Sequence, residues 1–477
     1  MKNQTLFNGG GGYLEKSNPS FSKKFLFSLA TVSVLSTCAE AQISGCGLNG
    51  NCETISDSKT GQITITGNGS SNSLTISNGG TLSNTGNNKA IYAHAKDSET
   101  LTITNLKNEG IINGKVSVEN SQKNFTGTIT VNTFENKGQI NGQIYMGIWG
   151  SNQGTLTIDN FNNSGTIKAD NGNGILFEGN VHMETFKNSG MIQANKAIEL
   201  KGGTIQNFTN DSSGTIQGNE AGIVINSHIN TFENKGLINS PGKGRYSNGI
   251  WISSGANIET FKNSGTISGG NGISTQGGTI KNFINSGTII GHGDREVSDT
   301  DTITATTGLY LKTNTIGTFD NQGSISGNNG ITITASKIET FKNSGIIESN
   351  SKHKNGAAVL ISNLFEKGST ITNFENSGTI KANNASGILI EAGNKIETLT
   401  NKGTIEASLY GIGFFTVDNC GGQIDIGKIT IEESGVIKAG QNGIHIDGSE
   451  RGIKGEGIDV KGRLEGGNAG IYIGGGK

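Results

Sequence analysis

One seven-residue pattern, F-x-N-x-G-x-I, returns along this chain at spacings that leave room for very few folds. It runs from Phe134 to Ile140, Phe161 to Ile167, Phe186 to Ile192, Phe232 to Ile238 and Phe261 to Ile267. It continues at Phe283 to Ile289, Phe319 to Ile325, Phe341 to Ile347 and Phe374 to Ile380. Phe208 to Ile216 is a copy with two extra residues, and Leu106, Leu399 and Ile431 replace the phenylalanine in others. Degenerate copies surround Ile76 and Ile458. A second element, G-I-x-I, follows each copy, as at Gly222, Gly249, Gly330 and Gly387. The shortest interval between phenylalanines is 22 residues, from 186 to 208, 261 to 283 and 319 to 341. Longer intervals are that unit plus an insertion.

A fixed short period means a repeat architecture. This unit is too short for a propeller blade, lacks the leucine-rich pattern and shows no helical periodicity. Short β-branched stretches separated by Gly and Asn suit one coil of a β-helix. Each strand there pairs in parallel with its equivalent one coil along. The expected fold is all-β, a single-stranded right-handed parallel β-helix of about 14 coils of about 22 residues plus insertions. Antiparallel hairpins use similar N-G turns, but they impose no such grid.

Each repeated position then has a role. The phenylalanines point inward and stack along the axis. Asn136, Asn163, Asn188, Asn234, Asn263, Asn321, Asn343 and Asn376 form an amide ladder, in which each side chain both donates and accepts. The motif glycine is expected at positive φ, and the isoleucines line the remaining walls.

Composition fits a thin core repeated many times. Glycine supplies 76 of 477 residues and proline 2, a balance that without regularly spaced apolar residues would mean disorder. A net charge of −2, with Lys and Arg dispersed, leaves no electrostatic footprint for nucleic acid. Residues 1–41 read as an export signal: Lys23 and Lys24, an apolar run from Phe25 to Leu35, then Ala39-Glu40-Ala41. The run is too short to cross a bilayer. Leu35-Ser36-Thr37-Cys38 faintly resembles a lipoprotein acylation site. Cys46 and Cys52 flank a Gly/Asn turn and are expected to form a disulfide in an oxidising compartment, within an N-terminal cap over 42–70. Cys420 is left unpaired. The repeats are expected over 71–477, with no C-terminal cap or barrel before the chain ends.

Catalytic signatures are sparse. No Gly-Lys pair sits in a P-loop, the six histidines form no HExxH, and there is no G-x-S-x-G elbow. Gly269 to Thr275 looks like a calcium nonapeptide, but Ser274 stands where Asp is needed. The expectation is a non-enzyme with no cofactor or metal. Two features rise above this background. Insertions fall between the motif isoleucine and the next G-I, at 240–248, 290–307 and 348–356. They form a candidate functional corner, and one holds the charged group His292, Asp294, Arg295, Glu296, Asp299 and Asp301. This group reads first as a solvated loop and second as a metal or catalytic cluster. The other feature is the outward residue of G-I-x-I, aromatic at Tyr92, Trp149, Trp251, Tyr310 and Tyr472. That row is a candidate partner surface, although β-propensity alone also favours such residues.

An export signal followed by this solenoid resembles the β-helical passenger domains of Gram-negative autotransporters. Copies such as ETFKNSGTI (259–267) and ETFKNSGII (339–347) look most like the vacuolating-cytotoxin-like and adhesin-like passengers. The resemblance covers roughly residues 60–477 and implies display at the cell surface or outer membrane, or release outside the cell. It also implies a translocating barrel, expected on a continuation beyond residue 477. Adhesion or self-association is the implied function, with a host surface protein, a glycan or another copy as partner. A vacuolating toxin acting on host membranes and a polysaccharide-degrading β-helix are the alternatives, because one scaffold hosts all of these.

Overall fold

The computed structural model describes residues 41–44, 53–67, 71–84, 89–150, 153–244, 246–293, 306–363, 367–415, 423–447 and 453–474. The expected export signal up to residue 40, all four cysteines and the acidic part of the 290–307 insertion lie outside these residues. All described strands belong to one 45-stranded sheet, and every pairing along the repeats is parallel. The chain is a right-handed parallel β-helix.

One coil shows how the sequence produces it. In Thr155–Asn163 side chains alternate inward and outward, with Leu156 and Ile158 buried. Alternation then breaks: Asp159 and Asn160 both face out before Phe161 returns inward. Two successive outward residues turn the backbone through a corner, so I-x-x-F encodes a bend. Asn163 closes this phenylalanine strand. A three-residue isoleucine strand, Thr166–Lys168, and a glycine strand, Asn173–Gly179, complete the coil. In Met191–Asn210 and Thr215–Asn234 the strands of successive faces merge into 20-residue strands.

Register holds along the axis. Phe134, Phe161, Phe186, Phe208, Phe232 and Phe261 are paired in turn. Their rings stack with centroids 4.4–5.0 Å apart and planes within 22°, a series that runs on to Phe374. Leu106 and Leu399 extend the column at its two ends. The amide ladder is equally continuous. From Asn108 to Asn401 each Nδ2 donates to the Oδ1 of the next coil at 2.7–2.8 Å, and Asn210 and Asn285 are members too.

Three expectations need correction. Ile431 does not replace the phenylalanine: Ile429 pairs with Leu399 in that column, and Ile431 takes the position of Asn401. An isoleucine carries no amide, so the ladder stops there. At the other end Ile76 lies beside Asn108, whose Oδ1 consequently has no donor. Parallel pairing also begins before residue 71. Ala41–Ser44 pairs with Ile63–Thr66, and Thr54–Ile55 with Thr75–Ile76.

The third correction concerns the motif glycine, which is not among the residues with positive φ. Coil-to-coil contact is what requires it. A β-carbon on Gly165 would stand 2.0 Å from the Gly138 carbonyl oxygen, and one on Gly265 would be 2.2 Å from that of Gly236. The turns stack so closely that backbone occupies the space of a side chain. Gly265→Ala should therefore lower stability by about 1–3 kcal/mol through overpacking. Gly67→Ala, where a β-carbon meets nothing within 4 Å, should leave the denaturant midpoint unchanged. Equal midpoints for the two variants would show that the turns have slack.

Candidate functional site

Parallel register decides which side chains share the outer face of the glycine strands. Tyr92, Ser117, Tyr145 and Leu176 form one run of neighbours. Further along, Val224, Trp251, Ser274, Tyr310 and Thr332 do the same. His445 pairs with Tyr472. Four of the five aromatic residues expected in this row are in it. Trp149 is not. Its coil aligns Ile144 with Ile175 and Met146 with Phe177, which makes Tyr145 the outward residue. The physical reason is filling of the core. Ile144 and Met146 occupy both inner positions, whereas the apparent Gly147-Ile148 register would put Gly150 in the second. Trp149 instead follows the strand and is exposed.

The row is no uniform platform. Trp251 and Tyr310 are half-buried and Tyr472 is exposed, yet Ser117, Thr332 and Leu360 are fully covered. Neighbouring side chains lean over the row and close it in places. Asn329 Nδ2 donates to Thr332 Oγ1 at 3.3 Å, the Lys89 ammonium lies 3.7 Å from the Tyr92 ring centre, and Lys115 lies 4.5 Å from that of Tyr145. Carboxylates on this face are likewise held. Glu119 pairs with Lys89, and Glu178 accepts the Tyr145 hydroxyl at 3.1 Å. Glu199 pairs with Lys196 at 3.1 Å and accepts from Asn173 at 2.7 Å. Burial, with Glu178 beside it, pushes the Tyr145 phenol well up.

A second aromatic group gave no signal as a motif. Tyr410 stacks on His445 at 4.1 Å, His445 on Tyr472 at 4.9 Å, and Phe415 lies 5.2 Å from the same imidazole. Gly413 occupies the row here because a β-carbon would come within 2.9 Å of the Phe415 ring. Asn442 holds His445 Nδ1 at 2.8 Å, and burial lowers the imidazole pKa, partly offset by Asp447. Only the juxtaposition of Tyr410, Phe415 and His445 across coils reveals this group. Each alone looks like an ordinary strand residue.

The insertion corner adjoins this same face. The loops 240–247, 292–306 and 350–356 lead directly into the strands Asn248–Ile252, Thr307–Lys312 and Ala357–Ser362. Intervening coils turn the corner with a single residue, Gly270 or Asn328. The long and short corners touch. A β-carbon on Gly293 would meet the Lys243 carbonyl oxygen at 2.6 Å, Asn328 Nδ2 donates to Thr306 Oγ1 at 3.0 Å, and Ser349 Oγ donates to the Asn328 carbonyl at 2.6 Å. Of the charged group, His292 is described: its backbone N–H donates to Gly269 O at 2.8 Å. Asp294, Arg295, Glu296, Asp299 and Asp301 lie outside the described residues, as do Cys46 and Cys52. Among the described residues no three His, Cys, Asp or Glu side chains converge as metal ligands.

No protein-family model, curated protein or solved structure matches the chain.

Proposed function

We propose that this chain is an exported adhesion scaffold of the autotransporter-passenger type, displayed at the cell surface or released from it. In this reading it binds a host surface protein, a glycan or another copy through its glycine-strand face. The observation that carries the proposal is adjacency. Trp251 and Tyr310 project from strands that begin where two of the insertions end. Half-buried aromatic rings bordered by variable polar loops combine apolar area with adaptable hydrogen bonding, as protein and glycan contacts require. Repetition along one axis adds avidity from weak contacts. Among the described residues, Glu119, Glu178 and Glu199 of this face are already paired with Lys or hydrogen-bond donors, which favours binding over glycan hydrolysis by a free acid and base.

Trp251→Ser with Tyr310→Ser tests the face directly. The far-ultraviolet circular dichroism should be unchanged, because neither ring is in the core. Adhesion to host cells, or clumping of cells displaying the chain, should fall at least severalfold. Deletion of 292–305 should do the same. Folded variants of both kinds that adhere like the parent would remove this face as the binding surface.

A further inference from the structure

Upstream of the insertions the same corner is open. A cleft of 680 Å³ crosses three successive coils there, within the range of about 300–1,000 Å³ usual for small-ligand sites. Asn113, Lys115, Asn141, Gln143, Lys168 and Asp170 are among its lining residues. We propose that this cleft is a subsite for an acidic oligosaccharide. Lys115 and Lys168 would take sugar carboxylates, and the corner amides would take hydroxyls. The assignment deepens the adhesion reading and rests on it.

The chemistry follows from what Lys115 lacks. Its side chain is half-buried against the Tyr145 ring, and among the described residues it forms no ion pair. The carboxylates near it are committed elsewhere: Glu119 to Lys89, and Glu178 to the Tyr145 hydroxyl and, at 3.9 Å, Lys201. A partly desolvated ammonium that shares Glu119 and Glu178 with other donors and has no direct ion pair of its own is stabilised further by any anion that reaches it. Burial lowers its pKa accordingly. Lys168 adds a second cation across the cleft, and its one partner, Asp170, lies 3.7 Å away and largely in solvent. Two ammoniums face one carboxylate, so the cleft is net positive.

Amides supply the rest. Asn141 Nδ2 donates to Asn113 Oδ1 at 2.7 Å, Asn113 Nδ2 to Ser83 Oγ at 3.0 Å, and Gln139 Nε2 to Asn141 Oδ1 at 2.8 Å. These bonds fix the row while leaving each amide a further proton or lone pair. Groups that donate and accept side by side match sugar hydroxyls. An acidic peptide would be held best by main-chain pairing at an open strand edge. The strands beside this cleft are already paired on both sides.

Calorimetric titration of the full chain with oligogalacturonate, neutral galacto-oligosaccharide and oligoglutamate tests the assignment. The uronate should bind, more weakly as sodium chloride is raised, and the neutral sugar and the peptide should not. Lys115→Met keeps the aliphatic stem on Tyr145 and should weaken uronate binding roughly tenfold, the size of a lost charge-assisted bond. Lys281→Met, on another face, should bind like the parent. The proposal is overturned by a parent that ignores the uronate, by equal binding of the neutral sugar or the peptide, or by Lys115→Met binding undiminished. Should uronate binding fail while displaying cells still adhere through Trp251 and Tyr310, the cleft is excluded and the adhesion reading stands.

Discussion

Phe261→Ala is expected to cost about 3–5 kcal/mol, the usual loss for emptying a buried aromatic site. Phe261 is fully buried, and its ring lies 4.8 Å from those of both Phe232 and Phe283, with planes within 9°. Alanine removes both stacking contacts and leaves a gap that paired strands cannot close. The coil spacing is fixed by hydrogen bonds on every side, so relaxation is small. In a solenoid, stability is close to a sum of coil and nearest-neighbour terms. The damage should therefore be local. Hydrogen exchange should speed up in Asn257–Asn263 and the strands paired with it, while the coil of Phe374 keeps its protection. An unchanged thermal melt would show that this ring contributes nothing to the core.

Asn343→Leu should cost about 2–5 kcal/mol although leucine has the same γ-branched shape. Asn343 Oδ1 accepts from Asn321 at 2.7 Å, and its Nδ2 donates to Asn376 Oδ1 at 2.7 Å and to the Gly345 and Thr379 carbonyls at 3.3 Å. Leucine leaves Asn376 Oδ1 fully buried without its side-chain donor and weakens the satisfaction of Asn321 Nδ2. Each orphaned buried group costs about 1–3 kcal/mol. Polarisation along a chain of amides makes the loss larger than one bond in isolation. Lys342→Leu, one residue away and exposed, should change stability by less than about 0.5 kcal/mol. Equal denaturant midpoints for the two variants would mean that the ladder is a by-product of packing.

Much of this fold was legible in the sequence because a β-helix turns sequence period directly into spatial stacking. Phenylalanines 22 residues apart with no insertion must fall in one column, and so must the asparagines two residues later. The inward face, the amide ladder and the corner from which insertions leave were all available from spacing alone. The glycine was legible as a requirement but not for its reason, because a steric demand between coils looks the same in sequence as a demand on φ.

Tertiary structure decided whatever depended on phase. Insertions break the constant spacing, and beyond each one only core filling and parallel pairing set which residue faces out. Trp149 thus yielded to Tyr145, and Ile431 moved from the phenylalanine column to the asparagine column. Contacts across coils were equally beyond spacing. The Tyr410–His445–Tyr472 stack joins residues some thirty positions apart whose strands carry different patterns. The corner cleft runs along three successive corners of one, two and four residues, none of which carries a long insertion. A periodic sequence therefore specifies its columns by itself. The surface depends on where the period is interrupted, since each interruption moves side chains relative to coils that are distant in sequence and adjacent in space.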